Sequence, residues 1–253
     1  MMGQREQTLN DIFGQVASAY ARFRPRYPRA LFDALTGLAP ARHAAWDCAT
    51  GSGQAAVTLA RDFARVIATD VSAGQLGAAE RHQRVLYVRA RAEAVPIRSR
   101  SIALVTVAQA LHWFDLDAFW AEVRRVLAPA GVVAVWCYNL SRISAPIDAI
   151  VERYYRETVG PFWTPERALL ESGYRDVPFP FEEISIAPPA MTTHLTLDDF
   201  LGFVGTWSAT ERYREAHSED PLPALAADLG RWWKPGDARA VEWPLSLRVG
   251  LCR

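Results

Sequence analysis

Ala44-Ala45-Trp46-Asp47-Cys48-Ala49-Thr50-Gly51-Ser52-Gly53-Gln54 is the stretch whose reading decides the fold. An apolar run ends on an acid, turns through two glycines one residue apart, and enters a run of helical character over 54–64, a strand, tight loop and helix in succession. Gly51 and Gly53 can take backbone angles closed to other residues and let a ligand approach the main chain. The next strand-like run, 65–69, closes on Asp70. Two acids at successive strand ends, flanking a glycine turn, suit a ligand with a cationic end and a ribose, as a nucleoside-type cofactor would have.

Outward from this stretch, strand and helix patterns keep alternating. A helix over 72–82 opens on Ser72, a suitable N-cap, and a strand follows at 85–89. Residues 102–107 read as a buried strand that ends in Gln109-Ala110-Leu111-His112-Trp113-Phe114-Asp115. A helix over 116–127 places Phe119, Val123, Val126 and Leu127 on one face, and 131–137 is another buried strand. Such alternation predicts right-handed crossovers and a parallel sheet covered on both faces. Ligands bind such sheets at the carboxyl ends of the strands, where strand order reverses, and Asp47, Asp70, Ala92-Glu93 and 109–112 all fall at those ends.

Before the sheet, Phe13, Val16 and Tyr20 fit one face of a short helix, Pro25 and Pro28 force an extended passage, and a helix over 28–38 turns Leu31, Phe32 and Leu35 inward. After it the pattern changes. Residues 147–159, 196–206 and 221–233 read as helices, the second opening on Thr196 with Asp199 at the third helical position. Two alternating strands, 181–187 and 242–251, pair antiparallel and enclose these helices as a lid. The organisation expected is a cofactor core with an N-terminal helical cap over 1–140, a lid and substrate insertion carrying one strand over 141–240, and a final strand over 241–253 returning to the core.

Composition narrows the function classes. Charges balance at 28 against 28, and no basic stripe interleaved with aromatics appears, which argues against nucleic acid or an anionic membrane as partner. Cys48, Cys137 and Cys252 have no metal-ligand spacing, so no metal site is expected and a reducing cytoplasm is the natural setting. The first residues lack the apolar core of a signal peptide, and no apolar run approaches the length of a membrane span. The partner expected is a small-molecule substrate; oligomeric state is not encoded in any visible pattern.

Taken in order, several blocks resemble the class I S-adenosylmethionine-dependent methyltransferases, and within them the small-molecule branch that includes the trans-aconitate methyltransferases. They are Tyr20-Ala21-Arg22-Phe23-Arg24-Pro25-Arg26-Tyr27-Pro28, Trp46 to Gly53, Ala68-Thr69-Asp70-Val71-Ser72, Ala108 to Asp115, and Thr206-Trp207-Ser208-Ala209. The resemblance implies a Rossmann-like α/β fold. Its seven-stranded sheet is mostly parallel, ends in an antiparallel hairpin, and carries helices on both faces and a helical lid. It implies S-adenosylmethionine as cofactor and S-adenosylhomocysteine as product. Asp47, Thr50, Gly51 and Gly53 would hold the methionine part, Asp70 the ribose hydroxyls and Val71 the adenine. Ala92 and Glu93 would meet the adenine edge, and Gln109 and Ala110 the sulfonium side. Tyr20 and Arg24 would close over the methionine end. Two residues depart from the family pattern: Ala49 stands at its first glycine, tolerable if φ stays negative, and Ala103 where an acid often begins the fourth strand.

A methyl on a sulfonium is already activated, so the protein has to align a nucleophile in line with it and exclude water. A carboxylate acceptor needs no general base; a hydroxyl or an acidic carbon is helped by one, and His112 is best placed to orient or deprotonate it, if it does not simply pack. Trp113 and Trp207 are the aromatic candidates for substrate contact. Two rivals stand beside this reading. A nicotinamide-dependent oxidoreductase is suggested by Gly51, Gly53 and Ala56, which match G-x-G-x-x-A, but the sole lysine, Lys234, has Gly230 four positions earlier and so cannot form a Tyr-x-x-x-Lys pair. A non-catalytic S-adenosylmethionine-binding protein is the other.

Overall fold

The computed structural model describes residues 22–252, so the helix expected around Phe13–Tyr20 lies outside the described residues. Five strands run parallel: β1 (Ala44–Cys48), β2 (Arg65–Asp70), β3 (Val85–Arg89), β4 (Ile102–Ala108) and β5 (Leu127–Tyr138). Two more, β6 (Glu182–Ile184) and the strand Leu245–Leu251, complete a seven-stranded sheet. The latter is called β9 because β7 (Thr192–Leu195) and β8 (Arg239–Glu242) precede it and form a separate two-stranded sheet. In the main sheet the order is β3-β2-β1-β4-β5-β9-β6, with β9 antiparallel to both neighbours. The expected antiparallel hairpin is therefore present.

Sequence accounts for these elements directly. Every residue of β4 from Ile102 to Val107 is buried, as a central parallel strand covered on both faces requires. On one face lie α1 (Arg29–Leu38), which turns Leu31, Phe32 and Leu35 inward, and the short α2 (Gln54–Leu59). The short α3 (Ala73–Ala78) opens on Ser72, whose hydroxyl accepts from Gln75 N. On the other face lies α4 (Leu116–Val126), N-capped by Asp115, with Phe119, Trp120, Val123 and Val126 buried at helical spacing. Phe119 is fully buried against Trp46, Phe114 and Trp120.

The lid follows β5. Helix α5 (Ala145–Arg153) runs into a π-helical turn at Tyr154–Thr158 and leads to α6 (Arg167–Glu171). Between β6 and β9 come β7, α7 (Leu197–Gly205), α8 (Ser208–His217), α9 (Leu222–Leu229) and β8. The Thr196–Asp199 capping box forms as its spacing predicts. The last alternating run differs from its sequence reading: Pro244 splits it, so 239–242 pairs with β7 and only Leu245–Leu251 joins the main sheet. Residues 141–240, read from sequence with one strand, hold β6, β7 and the start of β8. No helix among the described residues is long and apolar enough to cross a membrane.

Phe119→Ala is expected to lower the unfolding free energy by about 3–5 kcal/mol, read by urea denaturation, because the cavity opens between sheet and helix. A loss under 1 kcal/mol would mean that α4 does not pack on β1 as described.

Candidate functional site

The sheet order reverses between β1 and β4, and the carboxyl ends of β1, β2, β4 and β5 meet there. Asp47 ends up 1 % exposed in β1, one oxygen accepting from Thr50 Oγ1 (2.5 Å), the other from Thr106 Oγ1 (2.7 Å) on β4. Its carboxylate is thus committed to the protein, held by one hydroxyl from the glycine loop and one from β4. Burial pushes its pKa up to about 6 against the pull of these hydroxyls. Asp70, at the end of β2, accepts from Gly51 N and Ser72 N, both at 2.9 Å, and burial raises its pKa as well. Val71 follows it in the chain, and Ala92 is buried in the loop after β3, which Arg125 holds through the carbonyls of Val95 (3.1 Å) and Ile97 (2.7 Å). Glu93 accepts from Asp115 N (3.0 Å) and lies 3.5 Å from Arg91 Nε.

Gly51 and Gly53 both have positive φ, +54° and +82°. A side chain at position 53 would collide with the Tyr87 hydroxyl, so that glycine is required by packing as well as by its backbone angle. Ala49 does not meet the condition of a negative φ: it sits at +53°, a left-handed conformation that strains an alanine.

Beyond β4 the chain turns sharply. Gln109 has φ +60° and binds β5 twice, N to Trp136 O (2.9 Å) and Nε2 to Tyr138 O (3.2 Å). Ala110 is buried, and the 3₁₀ turn Leu111–Trp113 presents His112, whose Nδ1 lies 3.0 Å from the Tyr174 hydroxyl. Burial, and then the Arg167 charge, lower the His112 pKa to about 3, so the ring is neutral at physiological pH and a feeble base. Trp113 packs beside it, ring centroids 4.7 Å apart.

The lid closes this side with aromatic rings. Trp207, 6 % exposed, contacts Tyr154, Tyr155, Trp163 and Phe203. Arg167 lies over the Trp163 ring at 4.4 Å and donates from Nε to the Tyr155 hydroxyl at 2.8 Å, which in turn donates to Glu171. Arg24 ties the N-terminal passage to both halves through Tyr138 Oη (3.2 Å) and Thr206 O (3.0 Å). Tyr20 lies outside the described residues. Asp47, Thr50, Gly51, Gly53 and Asp70 thus form one cluster, and Arg24, Gln109, His112 and Trp207 lie across the ends of β4 and β5. Tyr174 and Tyr138 were missed by sequence reasoning, and nothing in the sequence sets Arg167 apart from the chain's other arginines; no local pattern marks any of them. Among the described residues no group of three or more His, Cys, Asp and Glu side chains could hold a metal.

Two outcomes are expected of this geometry. Ala49→Gly relieves the left-handed strain and raises unfolding free energy by about 0.5–1 kcal/mol in denaturant titration, the larger strain being offset in part by glycine's entropy. Asp47, whose folded pKa exceeds its unfolded one, binds its proton more tightly in the native state. Wild-type stability relative to Asp47→Asn should therefore fall as pH rises from about 4 to about 6, by about 3 kcal/mol, and stay level above. A difference that does not change with pH would mean Asp47 titrates normally.

Comparison with known proteins agrees with this site. Residues 46–135, from β1 to β5, match the family described as "Methyltransferase domain". A Dictyostelium discoideum protein named as a methyltransferase is 34 % identical over 240 residues, covering 92 % of this chain and 91 % of that one. A solved structure from Anaeromyxobacter dehalogenans, described as a type II methyltransferase, is 45 % identical with a TM-score of 0.84, covering 91 % of this chain and 98 % of that one. The [4+2]-cyclase SpnF shares the fold at a TM-score of 0.54 and 17 % identity, covering 96 % of both chains. With its strand order, its glycine loop and a full-length relative all in agreement, the chain belongs to the class I S-adenosylmethionine-dependent methyltransferases.

Proposed function

We propose that this chain binds S-adenosylmethionine at the ends of β1 and β2 and transfers its methyl group, by in-line displacement, to a small molecule bearing a carboxylate or hydroxyl oxygen. The observation that carries the cofactor half is Asp70. Its oxygens take two loop amides, and a carboxylate has about four acceptor positions, so it keeps capacity for a sugar hydroxyl beside the glycine turn. The donor set fits the group: a ribose-binding acid, a bare backbone loop, and a second buried acid, Asp47, that adds negative charge where a cationic tail would lie. Thr50, Gly51 and Gly53 border the methionine part, with Arg24 over its end. Val71, Ala92 and Glu93 border the adenine, and Gln109 and Ala110 the sulfur side. When bound, the sulfonium supplies a methyl that passes to an acceptor lone pair as the carbon–sulfur bond breaks, leaving its electron pair on sulfur.

The acceptor half rests on the lid. Trp163, Trp207 and Trp113 offer apolar walls that exclude water, and Arg167, held by Tyr155 and Trp163, brings a fixed positive charge close enough to depress His112. That charge favours an acceptor with an anionic group. His112 is the residue placed to touch it, as an orienting group: an imidazole so reluctant to protonate takes a proton poorly.

Titration calorimetry with S-adenosylhomocysteine tests the reading. Binding is expected, none with NAD, and Asp70→Ala should weaken it roughly 10- to 100-fold through loss of charge-assisted hydrogen bonds. Unchanged affinity in a variant whose circular dichroism shows it folded would sink the assignment of Asp70.

A further inference from the structure

Tyr174 is the least expected residue near the site. It is 1 % exposed and has φ +62°, directly after Gly173 at +65°. A bulky side chain in the left-handed region costs on the order of 1–3 kcal/mol and persists only where its surroundings over-determine it. Here they do. Tyr174 N donates to Leu169 O (2.9 Å), and its carbonyl accepts from Arg248 Nη1 (2.7 Å). Arg248 in turn pairs with both oxygens of Glu183 (2.8 and 3.0 Å) and donates to Val177 O (2.6 Å). Position 173 has no room for a side chain against Ser246. The turn is built to aim one phenol.

That phenol reaches the 3₁₀ turn after β4. Its oxygen lies 3.0 Å from His112 Nδ1, with the rings nearly parallel at 26°. A phenol oxygen has two acceptor positions and one proton. The hydroxyl is buried and Nδ1 is its one hydrogen-bond partner among the described residues; a buried O–H without an acceptor is costly, so the contact has one polarity: the O–H donates and Nδ1 accepts. The proton of the neutral imidazole then sits on Nε2, which has no hydrogen bond to any described residue.

We propose that Tyr174 is the positioning residue of this site, fixing His112 in the tautomer protonated at Nε2, so that the imidazole meets the methyl acceptor as a hydrogen-bond donor. This deepens the methyltransferase reading and rests on it for the acceptor's presence, though not for the tautomer. With its proton on Nε2 the imidazole has no lone pair there to take a proton from the acceptor, so the reacting oxygen has to have lost its own proton beforehand. The reacting oxygen gains the methyl and loses its negative charge, sulfur regains an electron pair, and no proton has to leave. Substrates are then oxygen acids ionised at working pH in preference to alcohols, and Arg167 supplies the countercharge.

Long-range ¹⁵N–¹H correlation spectra of protein labelled with ¹⁵N-histidine test this without any substrate. The His112 resonances are those missing from His112→Gln. The expected wild-type pattern is a protonated Nε2 and an unprotonated, hydrogen-bonded Nδ1. In Tyr174→Phe, Nδ1 should move downfield by several ppm as its donor is lost. A proton on Nδ1 in the wild type, or an Nδ1 shift unmoved in folded Tyr174→Phe, would overturn the proposal. Should Tyr174→Phe not fold, the wild-type tautomer alone decides. Adding S-adenosylhomocysteine separates the two readings: absence of binding counts against the cofactor assignment and leaves the tautomer result standing.

Discussion

Everything at the site depends on a small buried hydrogen-bond network that ties three parallel strands through the glycine loop. Asp47 in β1 accepts from Thr106 in β4 and from Thr50 in the loop, Thr50 N donates to Thr69 O in β2, and Gly51 N donates to Asp70. Removing either carboxylate would release a loop that has no other reason to adopt two, and with Ala49 three, left-handed residues in succession or near it. The network also explains why Asp47 remains deeply buried despite the desolvation that raises its pKa: its hydroxyl partners keep the charged form tolerable and hold it close behind the crevice.

On the acceptor side the same logic runs with opposite charge. Arg167 is restrained by a phenol and an indole, so its charge is held at a fixed place instead of sampling solvent. Its field and the burial of the ring together keep His112 neutral. Tyr155 and Cys137 are both pushed up to about 12, chiefly by burial, and stay protonated at neutral pH. The side therefore offers donors and apolar walls, which suits a reaction whose nucleophile is supplied ready-made.

The sequence was legible where chemistry is local. Strand β4, α4 with its Asp115 cap, the Thr196–Asp199 box and the glycine loop follow from periodicity and short-range hydrogen bonding, and each lies within about two residues of its expected place at the cap or strand. Legibility ended where tertiary contacts decide. Pro244 divided a run of alternating apolar residues between two sheets, and helix 72–82 stopped at Ala78 because no apolar stripe continues it. Ala49 took a positive φ because the loop geometry is set by the strands on either side. Tyr174 is 62 residues from His112, a pairing no local spacing could reveal. The order of cofactor-side acids, by contrast, was visible because each closes its own strand.

Strand β9 lies between β5 and β6 in the sheet but follows both along the chain, separated from β6 by the whole block of α7, α8 and α9. During synthesis, then, β6 has nothing to zip onto until those helices have left the ribosome. Arg248, within β9, is also what clasps the backbone around Tyr174. The acceptor chamber is thus among the last parts to set, and a nascent chain that has already shaped its nucleoside cradle would be unable to act until the closing strand slides home.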